Sequence, residues 1–376
     1  MRLEDQLART VTERVASVHQ PVPDLADVIA RGRSRRRRRG VAVLAAVAVV
    51  AVAGAVAVPE LSELAEVAAP VPEQPEHFAS IGRLDYSEGL RAFASPDADG
   101  EVSLGGRSFP LEDMGYLDTE ATATQHGLVF FDRAGQAHLL AQDGTDRTLG
   151  PAPNESNSSF RPSAKADGLL PLVAFTQPNA DGVTVRLHEL ETGRTVDTML
   201  VPCGGLLSSC GEVRVDGVDR GLVFVRTGEG TFVWDPESRG AQRWTLLGEG
   251  DFRVADVRNG RVLWAGAPPT PAADNPVAGW DFTKGQIDAE LSYDGRYVLY
   301  WSSTLQPTEP DGEALRLDVR DAIWFTFDTD GSVLAAANGQ DQRSPVYDCT
   351  LATGACELIG SVSTKSGDPM FIGNDM

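Results

Sequence analysis

Lysine is almost missing from this chain: three residues, Lys165, Lys284 and Lys365, stand against 30 arginines. With its abundant Ala, Val and Gly, that bias points to a high-GC bacterial genome. Cysteine is scarce too, with four residues and no Cys-x-x-Cys pair, which excludes a thioredoxin-type redox site. Structural zinc sites pair closely spaced cysteines with one another or with histidines, whereas the five His here (His19, His77, His126, His138 and His188) are scattered. There is no Gly-x-Ser-x-Gly elbow, phosphate loop, His-Glu-x-x-His or Rossmann glycine pattern, so the local signatures of common hydrolases, kinases and dehydrogenases are missing. Ser95-Pro-Asp97-Ala-Asp99-Gly100 partly mimics a calcium loop, but Gly106 stands where a bidentate Glu is needed, and the stretch reads as a plain turn. No catalytic residue, cofactor or metal is assigned.

Positive charge is also lacking over most of the chain. Residues 59–376 hold 23 basic and 49 acidic side chains, net −26, which excludes nucleic-acid binding through phosphates. Residues 1–58 are net +5.

Between these halves lies the one long hydrophobic run. Val41 to Val58 holds eight Val, eight Ala, one Leu and one Gly. At about 1.5 Å per residue it spans about 27 Å as a helix, close to the bilayer's hydrocarbon core. Arg31, Arg33, Arg35, Arg36, Arg37, Arg38 and Arg39 precede it, and Pro59 to His77 carries five Glu and no basic residue. The positive-inside bias therefore sets the N-terminus in the cytosol and the large C-terminal part outside. The expected layout is a cytosolic helical, Arg-rich segment (1–39), a transmembrane helix (40–58), a Pro/Glu-rich spacer (59–77), an extracytoplasmic domain (78–364) and a C-terminal tail (365–376). A cleaved signal peptide is the rival reading, since Ala55-Val56-Ala57 resembles a cleavage site. The long N-terminal region and the length of the run count against it. In the first segment Leu3, Leu7, Val11, Val15 and Val18 recur at helical spacing, an apolar stripe suited to a membrane surface or a cytosolic partner.

From Phe78 onward the periodicity turns to that of strands. Leu90 to Ala94, Gly127 to Phe131, Pro171 to Phe175, Gly221 to Val225, Arg261 to Ala265, Arg296 to Tyr300 and Gly331 to Ala335 read as one strand repeated seven times, at steps of 35 to 50 residues. The mean step, about 40, is that of a four-stranded propeller blade. Asp143-Gly144, Asp181-Gly182, Asp294-Gly295 and Asp330-Gly331 supply hairpin turns. Trp234-Asp235 and Trp280-Asp281 carry a Trp-Asp dipeptide, and Thr192-Gly193 and Thr353-Gly354 close further hairpins. Cys349 and Cys356 flank the second of these at opposed strand positions, and Cys203 and Cys210 flank a short loop, so two local disulfides are expected. Trp234, Trp264, Trp280, Trp301 and Trp324 are placed in the core between blades, and the insertion Pro268 to Pro276 is expected to project from the ring or lie disordered.

The repeated strands and Trp-Asp dipeptides resemble the WD-repeat-like and related bacterial periplasmic β-propellers. That resemblance implies an all-β ring of about seven four-stranded blades, six being possible, around a channel, closed by pairing of its first and last strands. Its loops would bind proteins or small ligands. The N-terminal layout is similar to sigma-factor-associated membrane proteins of high-GC bacteria. The functional expectation is a non-enzymatic, membrane-anchored binding or scaffold module, with partner or ligand unidentified. The alternative is a transmembrane, anti-sigma-like regulator whose residues 1–30 hold a cytosolic partner. An enzyme with a site gathered from several blades is a third reading, because spacing does not reveal which acids face each other across a channel.

Overall fold

The computed structural model describes residues 89–94, 101–110, 121–153, 160–202, 212–300, 302–339, 342–364 and 370–371. The Arg-rich segment with Arg31 to Arg39, the apolar run 40–58, the residues 59–77, the Ser95 to Gly100 stretch, Trp301, and Cys203 and Cys210 lie outside them. Among the described residues no helix is long and apolar enough to cross a membrane.

Those residues form seven sheets. Blade 2 pairs Thr122–Thr124, Gly127–Phe131, Ala137–Leu140 and Asp146–Leu149 in order, all antiparallel. Blades 3, 4, 6 and 7 repeat the plan, with first strands Ala164–Ala166, Arg214–Asp219, Glu290–Leu291 and Ala322–Phe327. Blade 5 begins with Arg253–Arg258. These first strands touch in sequence around a common axis. Blade 1 is completed from the far end of the chain, where Met370–Phe371 pairs antiparallel with Phe93–Ala94 and stands next to blade 7's first strand. The residues set apart as a tail thus contribute the innermost strand of blade 1, and the ring has seven blades.

Each apolar run picked out by its repeat falls on the second strand of a blade. Gly127–Phe131 and Val333–Ala337 are buried at every position, because neighbouring blades cover both faces of the sheet, and such strands read as continuous apolar runs rather than alternating ones. In outer strands such as Thr195–Pro202 all but one position are exposed or half-exposed. Asp-Gly turns sit where hairpins require positive φ, with Gly295 at 72° and Gly331 at 83°. Gly182 and Gly230 open the third strands of blades 3 and 4, and there a Cβ would run into the carbonyl oxygens of Val201 and Gly248. A side chain at either position would force the third and fourth strands apart.

The core is a set of inter-blade seams. Seven apolar clusters occupy the seven interfaces, among them Leu104 with Phe130 between blades 1 and 2, Leu187 with Val215 between 3 and 4, and Ala336 with Phe371 between 7 and 1. Trp234 is fully buried, and Trp264, Trp280 and Trp324 pack partly buried against the seams. The Cys349–Cys356 disulfide forms, bridging register partners in the last two strands of blade 7.

Two expectations are corrected. Blade 5 has three strands, not four, and its third, Asp281–Lys284, runs parallel to Arg261–Ala265 because the chain crosses the blade's end through the insertion before returning. That insertion does not project. Thr270 N–H donates to Leu247 O at 3.0 Å, Asn275 Nδ2 donates to Leu246 O at 3.1 Å, and Val277 is buried among Leu222, Phe224 and Leu247. The segment lies back on blade 4, satisfying backbone carbonyls there.

Closure by so short a strand makes Phe371 disproportionately important. Phe371→Ala is expected to cost about 3 to 4 kcal/mol in chemical denaturation, with amide exchange accelerating first in blades 1 and 7.

Candidate functional site

Five acids organise the ring's interior. Asp167, in the first turn of blade 3, accepts from Gly221 N–H of blade 4 at 2.7 Å. Asp219, ending blade 4's first strand, accepts from Asn259 and Gly260 N–H of blade 5 at 3.0 and 2.7 Å. Asp256 accepts from Leu291 N–H of blade 6 at 2.9 Å. Glu290 accepts from Phe327 N–H of blade 7 at 3.1 Å and from the Thr326 hydroxyl. Asp328 accepts from Leu90 and Arg91 N–H of blade 1 at 3.1 and 2.9 Å. Every donor belongs to the blade that follows, so a carboxylate clamp joins five successive interfaces. Asn259 and Arg91 adopt left-handed backbone, φ 50° and 48°, which turns adjacent N–H groups toward one anion. Across the closure, Gln125 Nε2 also donates to Thr329 O at 3.2 Å.

Burial penalises these charges. It raises the Asp219 carboxyl to about 7, with the Asp167 charge adding and the Gly260 N–H opposing. Asp328 is raised by burial to about 6 against the Arg91 and Thr329 N–H groups. Glu290 is raised by burial to about 7, Asp256 adding and Phe327 N–H, Thr326 and Lys165 opposing.

At the axis lies a cavity of about 50 Å³, lined from five blades by Thr122, Lys165, Asp256, Arg258, Asp288, Glu290 and Tyr293 among others. Ile287 and Asp288, both exposed, mark its mouth. A second, smaller space of about 10 Å³ lies toward the first turns, bounded by Gln125, Asp167, Leu170 and Thr329. Tyr293 borders both. The Arg258 guanidinium lies over the Tyr293 ring at 4.8 Å, donates through Nη1 to Ala166 O at 3.1 Å across the axis, and stands 3.7 Å from Asp256. Gly168 leaves room for this pair, since a Cβ there would stand 3.2 Å from Arg258 Cδ and 3.3 Å from Tyr293 Cδ1. Burial lifts the Tyr293 phenol to about 12, against the Arg258 charge, which keeps it protonated. The cation and the ring form a floor across the channel.

Those of the residues singled out beforehand that fall among the described residues lie away from this site. Cys349 and Cys356 staple blade 7, and His126, His138 and His188 fall in blades 2 and 3 without converging. His188 stacks on Phe175, and burial, with Arg186, lowers it to about 4. Among the described residues no group of three or more His, Cys, Asp or Glu side chains is arranged to hold a metal. The axial residues had one signal: an acid stands two to six residues ahead of each apolar run from the third to the seventh (Asp167, Asp219, Asp256, Glu290 and Asp328).

No protein-family model and no curated protein matches the chain. Among solved structures it is similar to TolB from Acinetobacter baumannii, at 11% identity over 78% of this chain and 67% of that one, with a TM-score of 0.35. The β-propeller domain of the Trilobed protease from Pyrococcus furiosus matches at 10% identity over 66% and 83%, TM-score 0.39. The Pyrococcus horikoshii acylaminoacyl peptidase matches at 13% over 69% and 48%, TM-score 0.40. At these values no residue role or activity passes from one chain to another.

Glu290→Gln keeps both inter-blade hydrogen bonds, with its oxygen accepting from Phe327 N–H and its amide donating to Thr326. A carboxyl raised in the folded state contributes stability below its unfolded pKa and loses it as pH rises through the folded value, here between about 4.5 and 7. The variant is therefore expected to flatten the fall in stability from pH 5 to 8 and to gain on the order of 2 kcal/mol at pH 8, read by denaturant titration at both pH values.

Proposed function

We propose that the protein is a single-pass membrane protein displaying an acidic β-propeller outside the cytosol as a binding module, with the axial cavity as its binding locus. The observation that carries this reading is the cavity itself, on which five blades converge and to which blades 3, 5 and 6 contribute charges of both signs above the Arg258 and Tyr293 floor. Its carboxylates already hold N–H groups of neighbouring blades, which fixes them in place and suits them to steady recognition of a ligand. That commitment counts against an enzyme, where a carboxylate must be released to move a proton. The Cys349–Cys356 disulfide suits an oxidising compartment. The apolar stripe at Leu3, Leu7, Val11, Val15 and Val18 has too short a segment around it to bury itself, which favours a second role in holding a cytosolic partner, as a transmembrane regulator would.

Two measurements test the proposal. Protease added to intact cells is expected to digest residues beyond 77 and spare residues 1–39; an untouched C-terminal part overturns the topology. A photo-crosslinking amino acid in place of Ile287, at the cavity mouth, is expected to yield an adduct by mass spectrometry, while the same group at Leu358 on blade 7's outer strand yields none. Absence of an adduct at 287 overturns the binding reading.

A further inference from the structure

Blade 5 stops one strand short. In the other six blades a fourth strand pairs with the third, whereas in blade 5 the third strand, Asp281–Lys284, is itself the outer edge of the sheet. The N–H groups of Asp281 and Gly285 donate inward to Gly260 O and Trp264 O, at 3.2 and 2.7 Å, so the two-residue alternation of a strand turns the main-chain N–H and C=O of Phe282 and Lys284 outward. Among the described residues nothing pairs with these outward groups. The edge strands of blades 3 and 7 are partly capped by arginines instead: Arg243 Nη2 donates to Thr198 O at 3.1 Å and Arg343 Nη2 to Ser361 O at 3.4 Å. The open edge of blade 5 has two unlike sides. Toward blade 4, Phe282 packs half-buried with Trp264 and Trp280, and Lys284 Nζ is already engaged over the Trp264 ring at 5.7 Å. Toward blade 6, Arg261, only 14% exposed, stands 3.3 Å from Asp281 and 2.7 Å from Glu309, which are 73% and 70% exposed. The turn that carries Glu309, residues 308–314, also holds Asp311 and Glu313, both exposed, and no basic residue.

We propose that a partner protein docks on this edge, adding an extended segment of alternating apolar and basic residues as the fourth strand of blade 5. An edge with free N–H and C=O groups is a template for strand pairing, and the main-chain bonds to Phe282 and Lys284 supply attraction without regard to sequence. Selection comes from the two sides. Successive side chains of the added strand point to opposite faces, so apolar residues meet Trp264 and Phe282 while Lys or Arg meets Asp281 and Glu309. Two exposed carboxylates share one guanidinium there, which leaves negative charge for the partner to neutralise, and an acidic segment is rejected by the same groups. The surface lies on the rim of the ring, away from the axial cavity, and does not depend on that cavity binding anything.

Fluorescence anisotropy on the purified full-length chain tests this with a labelled, end-capped hexapeptide alternating Val and Lys. Its controls are the Val and Glu counterpart and the Val and Lys peptide N-methylated at alternate residues, which cannot pair as a strand. The Val and Lys peptide is expected to bind at least about tenfold more tightly than either control and to slow amide exchange at Phe282 and Lys284. Lys284→Pro removes an outward N–H and leaves the inward ladder, and is expected to weaken binding at least about tenfold with the melting temperature kept. Asp281→Asn combined with Glu309→Gln, both on exposed side chains, is expected to weaken it about fivefold, and decides the matter if the proline variant melts early. Equal binding of either control, or binding unchanged in the folded variants, overturns the inference. So does protection of the Phe282 and Lys284 amides without peptide: protection that grows with protein concentration marks a second copy on the edge, and protection independent of concentration marks a segment of this same chain.

Discussion

Five carboxylates, those of Asp167, Asp219, Asp256, Glu290 and Asp328, take backbone N–H groups from the blade that follows, and the geometry of the ring depends on this arrangement. A propeller blade has its own ladder of hydrogen bonds, but nothing in that ladder fixes it against its neighbour. Apolar seams supply the attraction between blades without specifying an angle. A buried acid with directional acceptors specifies one, at the cost of desolvating a charge that only well-placed donors offset. The raised values at Asp219, Glu290 and Asp328 show that the donors do not fully compensate that cost.

Closure draws on the same resources. The pairing of Phe93 with Phe371 is short, so the join between blades 7 and 1 is reinforced by Asp328 on the Leu90 and Arg91 main chain and by Arg91 reaching back to Asp348 at 2.9 Å. An apolar patch of Leu334, Ala336, Val346 and Phe371 fills the seam beneath them. Strand pairing, an ion pair and apolar packing together hold an interface that chain connectivity leaves open.

The axial site is a by-product of the clamp. Asp256 and Glu290 are at the channel because their first strands ring the axis, and once fixed there they polarise the space they enclose. The Arg258 and Tyr293 floor divides that space, and the larger chamber opens where Ile287 and Asp288 meet solvent. On the proposed reading, structure and recognition use the same side chains.

By itself the sequence determined what local chemistry determines. The second strands, buried on both faces, had to be continuous apolar runs, so blade number and spacing could be read from Gly127–Phe131 to Val333–Ala337. Asp-Gly turns and the Cys349 and Cys356 hairpin were equally legible, because each depends on residues a few positions apart. The outer strands of blade 5 were not legible: a parallel return after a long insertion is decided by where Asn275 and Val277 find partners on blade 4. Nor was the role of residues 370–371, whose pairing partner lies at the other end of the ring. Which acids clamp, and which face Lys165 across the axis, only the tertiary structure decided. Those contacts join residues from about 35 to nearly 240 positions apart, and hydrophobic periodicity carries no information about which polar groups a closed ring brings together.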